Sequence, residues 1–439
     1  MTNGKRDDLH SWLSAALDSP AECGGAVAVV EDGALSWAYA GTADSDDGRA
    51  VGPNTAFPIA CLSKLLLTTL VLILMDAGRL SLDDRVCGFA ARSASGPRRV
   101  PDSLKVHHLL THCSGLSGVI DFDERGLNLA DGFDVDQLVE IARPGDVYSY
   151  STFGFLLLLD VIEAVAGTDW RTALNDRLAE PLRIEIVSGQ SGSNAACHTR
   201  DTAGHLRRET MSERERRFLR ATALDLHMTA KDIGAFAGVH LNAGKTLRGR
   251  RLLSETSCNL MHLGPYRPRF GQTPILGLGW KHFGNGFYGH FGLCRGSSAA
   301  LLLCRKAHKA LVCLANSDSS TLCRRLHAEH AFPKIVSEYS LRGGEKSVPV
   351  QSVAGYYFGA ACFAIVARRR AGRRLDMHLH RAGGEPLGGG IDLLQIGTSV
   401  YVGKPSDPRL PKGILVQFVA NASGSIGWAL INGRALKRR

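Results

Sequence analysis

The chain has 439 residues, 44% of them hydrophobic and 21% charged, with a formal net charge of +10. This is an ordinary composition for a soluble globular protein, but the length excludes a single compact core and predicts two domains, one carrying an insertion. The positive excess does not predict a nucleic-acid binder. Arg207-Arg208 and Arg216-Arg217 alternate with glutamates as on a solvated helical face. Arg368-Arg369-Arg370, Arg373-Arg374 and Lys437-Arg438-Arg439 are more one-sided, yet no aromatic interleaving, helix-turn-helix or RNP-like pattern accompanies them. Solvated loops are the plainer reading, with an acidic partner protein as the second.

The N-terminal segment MTNGKRDDLHSWLSAALDSP lacks the apolar run of a signal peptide. The longest apolar stretch, Leu65 to Met75, is too short to span a bilayer. A cytoplasmic protein with no membrane association is expected. The cysteines number eleven, an odd count, and no CxxC pair occurs. No disulfide framework, zinc ribbon or other metal site is therefore expected, and cysteines in apolar settings such as Cys304 and Cys313 read as small core residues.

In chain order, residues 24–41 form two β-rich runs around Glu31-Asp32-Gly33, a hairpin signal. A long apolar helix follows from Cys61 to about Ala77, with Gly78 as its C-terminal stop. Residues 105–118 and 134–167 read as helices, the latter interrupted at Arg143-Pro144-Gly145, and 200–245 as further helix closed by Asn242-Ala243-Gly244. From Gly277 the pattern changes to strands: 277–280, 288–292, 298–304 and 310–314. A helix over 322–339 completes this part. Gly343-Gly344 and Val348-Pro349 mark a linker. Short strand-like pieces with Gly-rich turns then predict a separate all-β domain over 346–439, closed by a hairpin from Phe418 to Lys437 with Gly424 at its turn. The first and last strands of residues 1–343 must share one sheet, because neither set closes alone.

The chemistry centres on Cys61 and Lys64. Positions i and i+3 share a helical face, and both an ammonium and the helix N-terminus favour thiolate. That pairs a nucleophile with a proton-transfer or electrostatic partner. A four-residue spacing is weak alone, and a buried helical cysteine is its plain alternative. Further elements lie around it. Phe57-x-Ile59-Ala60-Cys61-x-Ser63-Lys64 resembles F-x-I-A-S-x-S-K, the signature of class C β-lactamases and related esterases. Leu109-Leu110-Thr111-His112-Cys113-Ser114-Gly115-Leu116 resembles L-L-T-H-T-S-G-L. Pro144-Gly145-x-x-Tyr148-x-Tyr150-Ser151-Thr152-x-Gly154 resembles P-G-x-x-F-x-Y-S-N-x-G. Gly277-Leu278-Gly279-Trp280, Gly289-His290-Phe291-Gly292 and Leu314-Ala315-Asn316-Ser317 resemble the late elements of the same set. They occur in family order over residues 24–340.

The chain thus resembles the serine β-lactamase and penicillin-binding-protein superfamily, with cysteine where the nucleophilic serine stands. The resemblance implies an α/β (α+β) fold: an antiparallel sheet flanked by helices, with a helical insertion over roughly 80–245, and a small C-terminal β-barrel-like accessory domain. It implies Cys61 as nucleophile, Lys64 as the residue tuning it, Tyr150 as general base and acid, and His290 where β-lactamases carry the lysine of K-T-G. The backbone N–H groups of Cys61 and Leu293 would form the oxyanion hole, with Thr152 and Gly292 at the substrate. No cofactor or metal is implied. His112 and Ser114 read as packing and capping residues, and Ser63 faces away from Lys64.

Thr152 replaces the family's asparagine and His290 its lysine, which argues against β-lactam hydrolysis. A thioester acyl-enzyme reacts with amines in preference to water, relative to an oxygen ester. The expectation is a cysteine-dependent acyltransferase of natural-product biosynthesis. Its donor would be small or peptidyl, its acceptor an amine or other nucleophile, and an acyl or peptidyl carrier protein a suitable partner. An esterase, thioesterase or amidase is the alternative, and an inert binding protein on the same fold a third.

Overall fold

The computed structural model describes residues 3–325 and 353–438, apart from short stretches at 19–22, 92–98, 118–120, 124–125, 129–138, 190–191, 202–204, 272, 274–276, 284–285, 318–319, 323–324, 359–361, 369–373, 382–385, 387–388, 396–398 and 406–413. The chain divides into two units: 1–81, 162–265 and 274–340; and 82–161, 266–273 and 341–439.

The first unit is built on a seven-stranded antiparallel sheet. Its strands are β1 (Gly24–Glu31), β2 (Ala34–Asp44), β3 (Arg49–Ala50), β4 (Lys281–His282), β5 (Phe287–Cys294), β6 (Ser297–Cys304) and β7 (Lys309–Ala315), in the order β4-β5-β6-β7-β1-β2-β3. The first and last strands do pair at the centre, Val27 opposite Cys313. The β1–β2 hairpin turns on Asp32 and Gly33, both with positive φ, the two-residue geometry that matches strand twist.

β1 is buried over seven consecutive residues because both faces of the sheet are covered. On one face, Leu9, Leu13 and Ala16 of helix α1 (Asn3–Leu17) pack on Val27, Val29, Leu302 and Leu311. Within that layer the buried side chains of Cys304 and Cys313 pack among apolar neighbours. Among the other helices of this unit are α2 (Ser63–Asp76), α3 (Glu213–Ala221), α4 (Ala230–Leu241) and α5 (Glu255–Leu263); α4 covers the other face of the sheet, directly on β1 and β7, and α5 packs on α2. α2 ends in a Schellman motif: Gly78 (φ +68°) donates to Met75 O at 2.9 Å and Arg79 to Leu74 O at 3.1 Å.

Several local expectations are corrected. The helix Asn3–Leu17 is not foreshadowed by any reading of the N-terminal segment. Residues 200–245 are not continuous helix; short strands His198–Arg200, Leu206–Arg208 and Leu226–Met228 interrupt it. Residues 277–280 are not a strand. Gly277 and Gly279 are there for close approach, since a Cβ at either would collide with Met261 O or with Thr68 Oγ1 of α2. The helix expected over 322–339 lies, beyond Arg325, outside the described residues, as do the linker glycines and prolines at 343–349 and Arg369–Arg370 and Arg373.

The second unit contains the short helix Val106–Leu110, the segment 139–151, the start of the helix Thr152–Ala166 and a closed eight-stranded barrel from Gly355 to Arg438. Residues 139–151 are not helical, contrary to the pattern of their apolar positions. The barrel interior is filled by Tyr357, Leu375, Met377, Ile391, Tyr401, Val416 and Phe418, as an eight-stranded barrel permits. Its final stretch is two hairpins rather than one. Gly424 turns the first, and Asn432-Gly433, both with positive φ, turns the second. Trp428 donates its indole N–H to Ile141 O at 3.0 Å and stacks on Phe270, tying the barrel wall to the segment before Tyr150.

Candidate active site

Cys61 occupies a 3-10 turn, Ala60–Leu62, that leads directly into α2. Ala60 is buried with φ +45°, a left-handed conformation that a residue with a Cβ adopts only when its surroundings enforce it. The enforcement comes from three sides. Ile59 N–H donates to Leu226 O at 2.9 Å, Phe57-Pro58 pair with His227-Met228, and β5 runs against the turn. The result is a thiol of intermediate exposure at the start of a helix.

Lys64, one residue into α2, is 1% exposed, and its carbonyl accepts the Thr68 hydroxyl at 2.7 Å. Ser63 is fully buried, and its hydroxyl has no hydrogen-bond partner among the described residues. Of the two side chains, the Cys61 thiol is the more accessible.

β5 brings His290, Gly292 and Leu293 to this unit. His290 is 1% exposed, and burial, then the charges of Lys281 and Lys64, hold its pKa well below the usual histidine value. Its Nδ1 meets Phe291 O at 2.7 Å, which fixes the proton on Nδ1 and makes Nε2 the acceptor nitrogen. His290 is thus a neutral imidazole and supplies no standing positive charge. Gly292 lies so close to Ile59 O that a Cβ would collide with it. Glycine here lets the strand reach the turn two residues before Cys61. Leu293 follows, its side chain 63% exposed, so only its backbone is presented inward to the sheet register with Ser298.

In the second unit, Tyr150 is 8% exposed and sits in a tightly bonded segment. Its N–H donates to Gly433 O at 2.8 Å, and Ser149 Oγ accepts Ala435 N–H at 3.1 Å. The His112 ring lies 4.3 Å from the Tyr150 ring, and its Nδ1 accepts Ser151 N–H at 3.1 Å. Ser114 Oγ accepts Leu116 N–H at 3.3 Å. His112 and Ser114 therefore brace the Tyr150 segment. Ser151 caps the following helix by accepting Gly154 N–H at 3.1 Å, which places half-buried Thr152 in its first turn. The guanidinium of Arg434, from the last barrel hairpin, lies 5.3 Å from the Tyr150 ring centroid. Nothing in the sequence near Tyr150 marks Arg434; the Asn432-Gly433 dipeptide before it was the available signal for the turn that presents it.

A family model described as Beta-lactamase matches residues 10–332. The chain belongs to the β-lactamase family. Among curated proteins, this β-lactamase-family chain is 28% identical to penicillin-binding protein 4 of Amycolatopsis lactamdurans over 361 residues, 76% of the chain and 92% of that protein. It is 34% identical to esterase EstB of Burkholderia gladioli over 185 residues, covering 36% of the chain and 45% of EstB. Among solved structures, SurE superposes with a TM-score of 0.77 at 25% identity over the full length of both chains, and SurE with D-Leu with a TM-score of 0.75 at 24%. The family's chemistry makes this an enzyme of the acyl-transfer or hydrolase type.

The first unit of this β-lactamase-family chain also holds a pocket of about 50 Å³. Pro58, Cys197, Leu219, Leu224, His227 and Cys294 line it, with Arg220 and Asp225. Pro58 immediately precedes the Ile59-Ala60-Cys61 turn, and Cys294 ends β5 and senses the Cys61 charge. Burial raises the Cys294 thiol to about 11, so it stays protonated. Among the described residues, one cluster could hold a metal, His240, Cys258 and His262, and none of the three belongs to the motifs around Cys61.

Proposed function

We propose that this protein is a cysteine-dependent acyltransferase working through a Cys61 thioester. The observation that carries this reading is the thiol itself. It stands half-exposed within the sequence element that resembles the family's nucleophile motif, on a turn held by left-handed Ala60, with buried Lys64 after it and glycine-tight β5 against it. A site that had merely lost its serine would have no reason to keep that strained turn.

In the proposed reaction the Cys61 sulfur attacks the donor carbonyl. The bond from that carbon to the leaving group breaks, and the leaving group departs with the proton of the Tyr150 hydroxyl, leaving a phenolate there. An amine then attacks the thioester, its proton passes to Tyr150, and the C–S bond breaks to return the thiolate. The backbone N–H groups of Cys61 and Leu293 are proposed to receive the carbonyl oxygen in both steps. Thr152 and Gly292 are proposed to line the bound substrate. The apolar pocket beside Pro58 and Cys294 suits the side chain of the acyl residue. Because SurE has been captured with D-Leu, a D-configured aminoacyl or peptidyl ester or thioester is the donor class proposed here. Neutral His290 does not provide the cation for a substrate carboxylate; Arg434 beside Tyr150 is the group suited to that task. Similarity to EstB supports hydrolysis as the second reading.

The test is intact-mass spectrometry with D- and L-configured aminoacyl thioesters, with and without an added amine. The proposal expects an adduct on the wild type that is absent from Cys61→Ala, with amine diverting the product from acid to amide. Cys61→Ser should shift products towards the acid. An adduct whose fate is indifferent to amine would establish the hydrolase, and no adduct from any donor would leave a binding protein.

A further inference from the structure

We infer that His240, Cys258 and His262 form a zinc-class metal site in the core of the first unit. Cys258 and His262 stand four apart on one face of α5, and His240 enters from the C-terminal end of α4. One ligand atom from each lies within 4.8 Å of the other two. All three residues are at most 1% exposed. A Cys-His₂ set is borderline-soft and matches zinc among the common ions.

The second observation is what burial has done to the polar atoms. Both ring nitrogens of His262, and Nδ1 of His240, are buried with no hydrogen-bond partner among the described residues. A neutral imidazole has one donor and one acceptor nitrogen, and a core position would ordinarily satisfy them or use an apolar residue. Apart from each other, His262 faces the rings of Trp280 and Tyr288, at 4.7 and 5.0 Å between centroids. His240 by contrast is oriented: its Nε2 meets the Thr69 hydroxyl at 3.3 Å, leaving Nδ1 as the ligand nitrogen. A hydrogen-bonded far nitrogen is how ligating histidines are commonly held.

The protonation states agree with this geometry. Burial, assisted by the charge of Arg305, keeps both imidazoles neutral, and the same guanidinium opposes the burial that raises the Cys258 thiol. Arg305 is fixed on α5 by Asn259 Oδ1 at 2.6 Å. Binding replaces the S–H bond of Cys258 by a metal–sulfur bond and releases that proton to solvent. Zinc bonds of roughly 2.0–2.3 Å require the three atoms to close by on the order of 1 Å, within reach of side-chain rotation. The spacing is not that of a zinc ribbon, which is why the cysteine pattern alone conceals it.

The test measures metal content by inductively coupled plasma mass spectrometry on full-length Cys61→Ala protein, which removes the nucleophile as a competing thiol. The protein is purified with zinc, refolded with zinc, and dialysed. The expected result is about one zinc per chain, a Tm raised by zinc and lowered by chelator, and loss of the ion in Cys258→Ser. Cys304→Ser, another buried thiol, should keep it. Cobalt in place of zinc should give a thiolate-to-metal charge-transfer band on the Cys61→Ala protein, a readout that stands even if Cys258→Ser fails to fold. Absence of stoichiometric zinc and of that band overturns the proposal, as does zinc retained equally by a folded Cys258→Ser.

Discussion

Two residues near the nucleophile show how little space this site leaves. Gly292 passes Ile59 O with no room for a methyl group, so Gly292→Ala must push β5 off the turn that carries Cys61. Overpacking of this kind costs roughly 1–3 kcal/mol. The expected outcome is a lower urea midpoint together with a slower mass-adduct reaction, larger than the stability loss alone accounts for. Arg434 makes a complementary case. Arg434→Ala removes a cation from the Tyr150 ring but leaves the Gly433 carbonyl bond intact. For donors bearing a carboxylate, kcat/KM should fall roughly 10- to 100-fold, mainly through KM, while uncharged donors are spared. Equal losses for both donor types would remove Arg434 from substrate binding. The motif around Cys61 was legible in the sequence because its residues are neighbours in the chain, although Leu226, His227-Met228 and β5 hold the turn in place. Arg434 was not, because only the register of a distant barrel hairpin brings it to Tyr150.

The secondary-structure elements carry two further expectations. Gly78 closes α2 with φ +68° and has open space around its missing Cβ. Gly78→Ala should therefore cost roughly 1 kcal/mol of stability from the left-handed backbone alone, with the rate of Cys61 acylation unchanged. The short helix Val106–Leu110 is a pH sensor of stability. Burial lowers His107 from 6.5 to about 4, against the pull of Asp83; His108 falls to about 4 through burial and its neighbours His107 and Lys105. Their folded pKa lies below the unfolded value, so the unfolded chain gains protons first on acidification. The stabilisation is complete above about pH 6.5 and is lost progressively between there and about pH 4. Urea midpoints measured across that range should slope accordingly, and His107→Gln with His108→Gln should flatten the slope. Element by element, long runs such as α2 and β5–β7 were readable because one period persists over several turns or pairs. The stretch 200–245 misled because its strands are only three residues long. Residues 277–280 misled because glycines serving close packing resemble the punctuation of a strand.

At the scale of the molecule, the net charge of +10 makes the carrier-protein partner expected from the sequence a question that salt can answer. Transfer from such a carrier should weaken as ionic strength rises, whereas transfer from a small thioester should not. Equal salt dependence would discount the carrier. The terminal all-β domain was legible from the change in pattern after Gly343. The barrel's bracing of Tyr150 was not, because it depends on contacts hundreds of residues apart.

The central pairing of β1 with β7 has a consequence for how this protein is made. Gly24 N–H donates to the Asn316 side chain across a separation of 292 positions. A ribosome releasing the chain in order exposes β1 and β2 long before their partner exists. The hairpin must wait with seven buried-type residues of β1 and one unzipped edge facing solvent or a chaperone. The longer that wait, the more chances the edge has to pair with a neighbouring copy instead of its own β7.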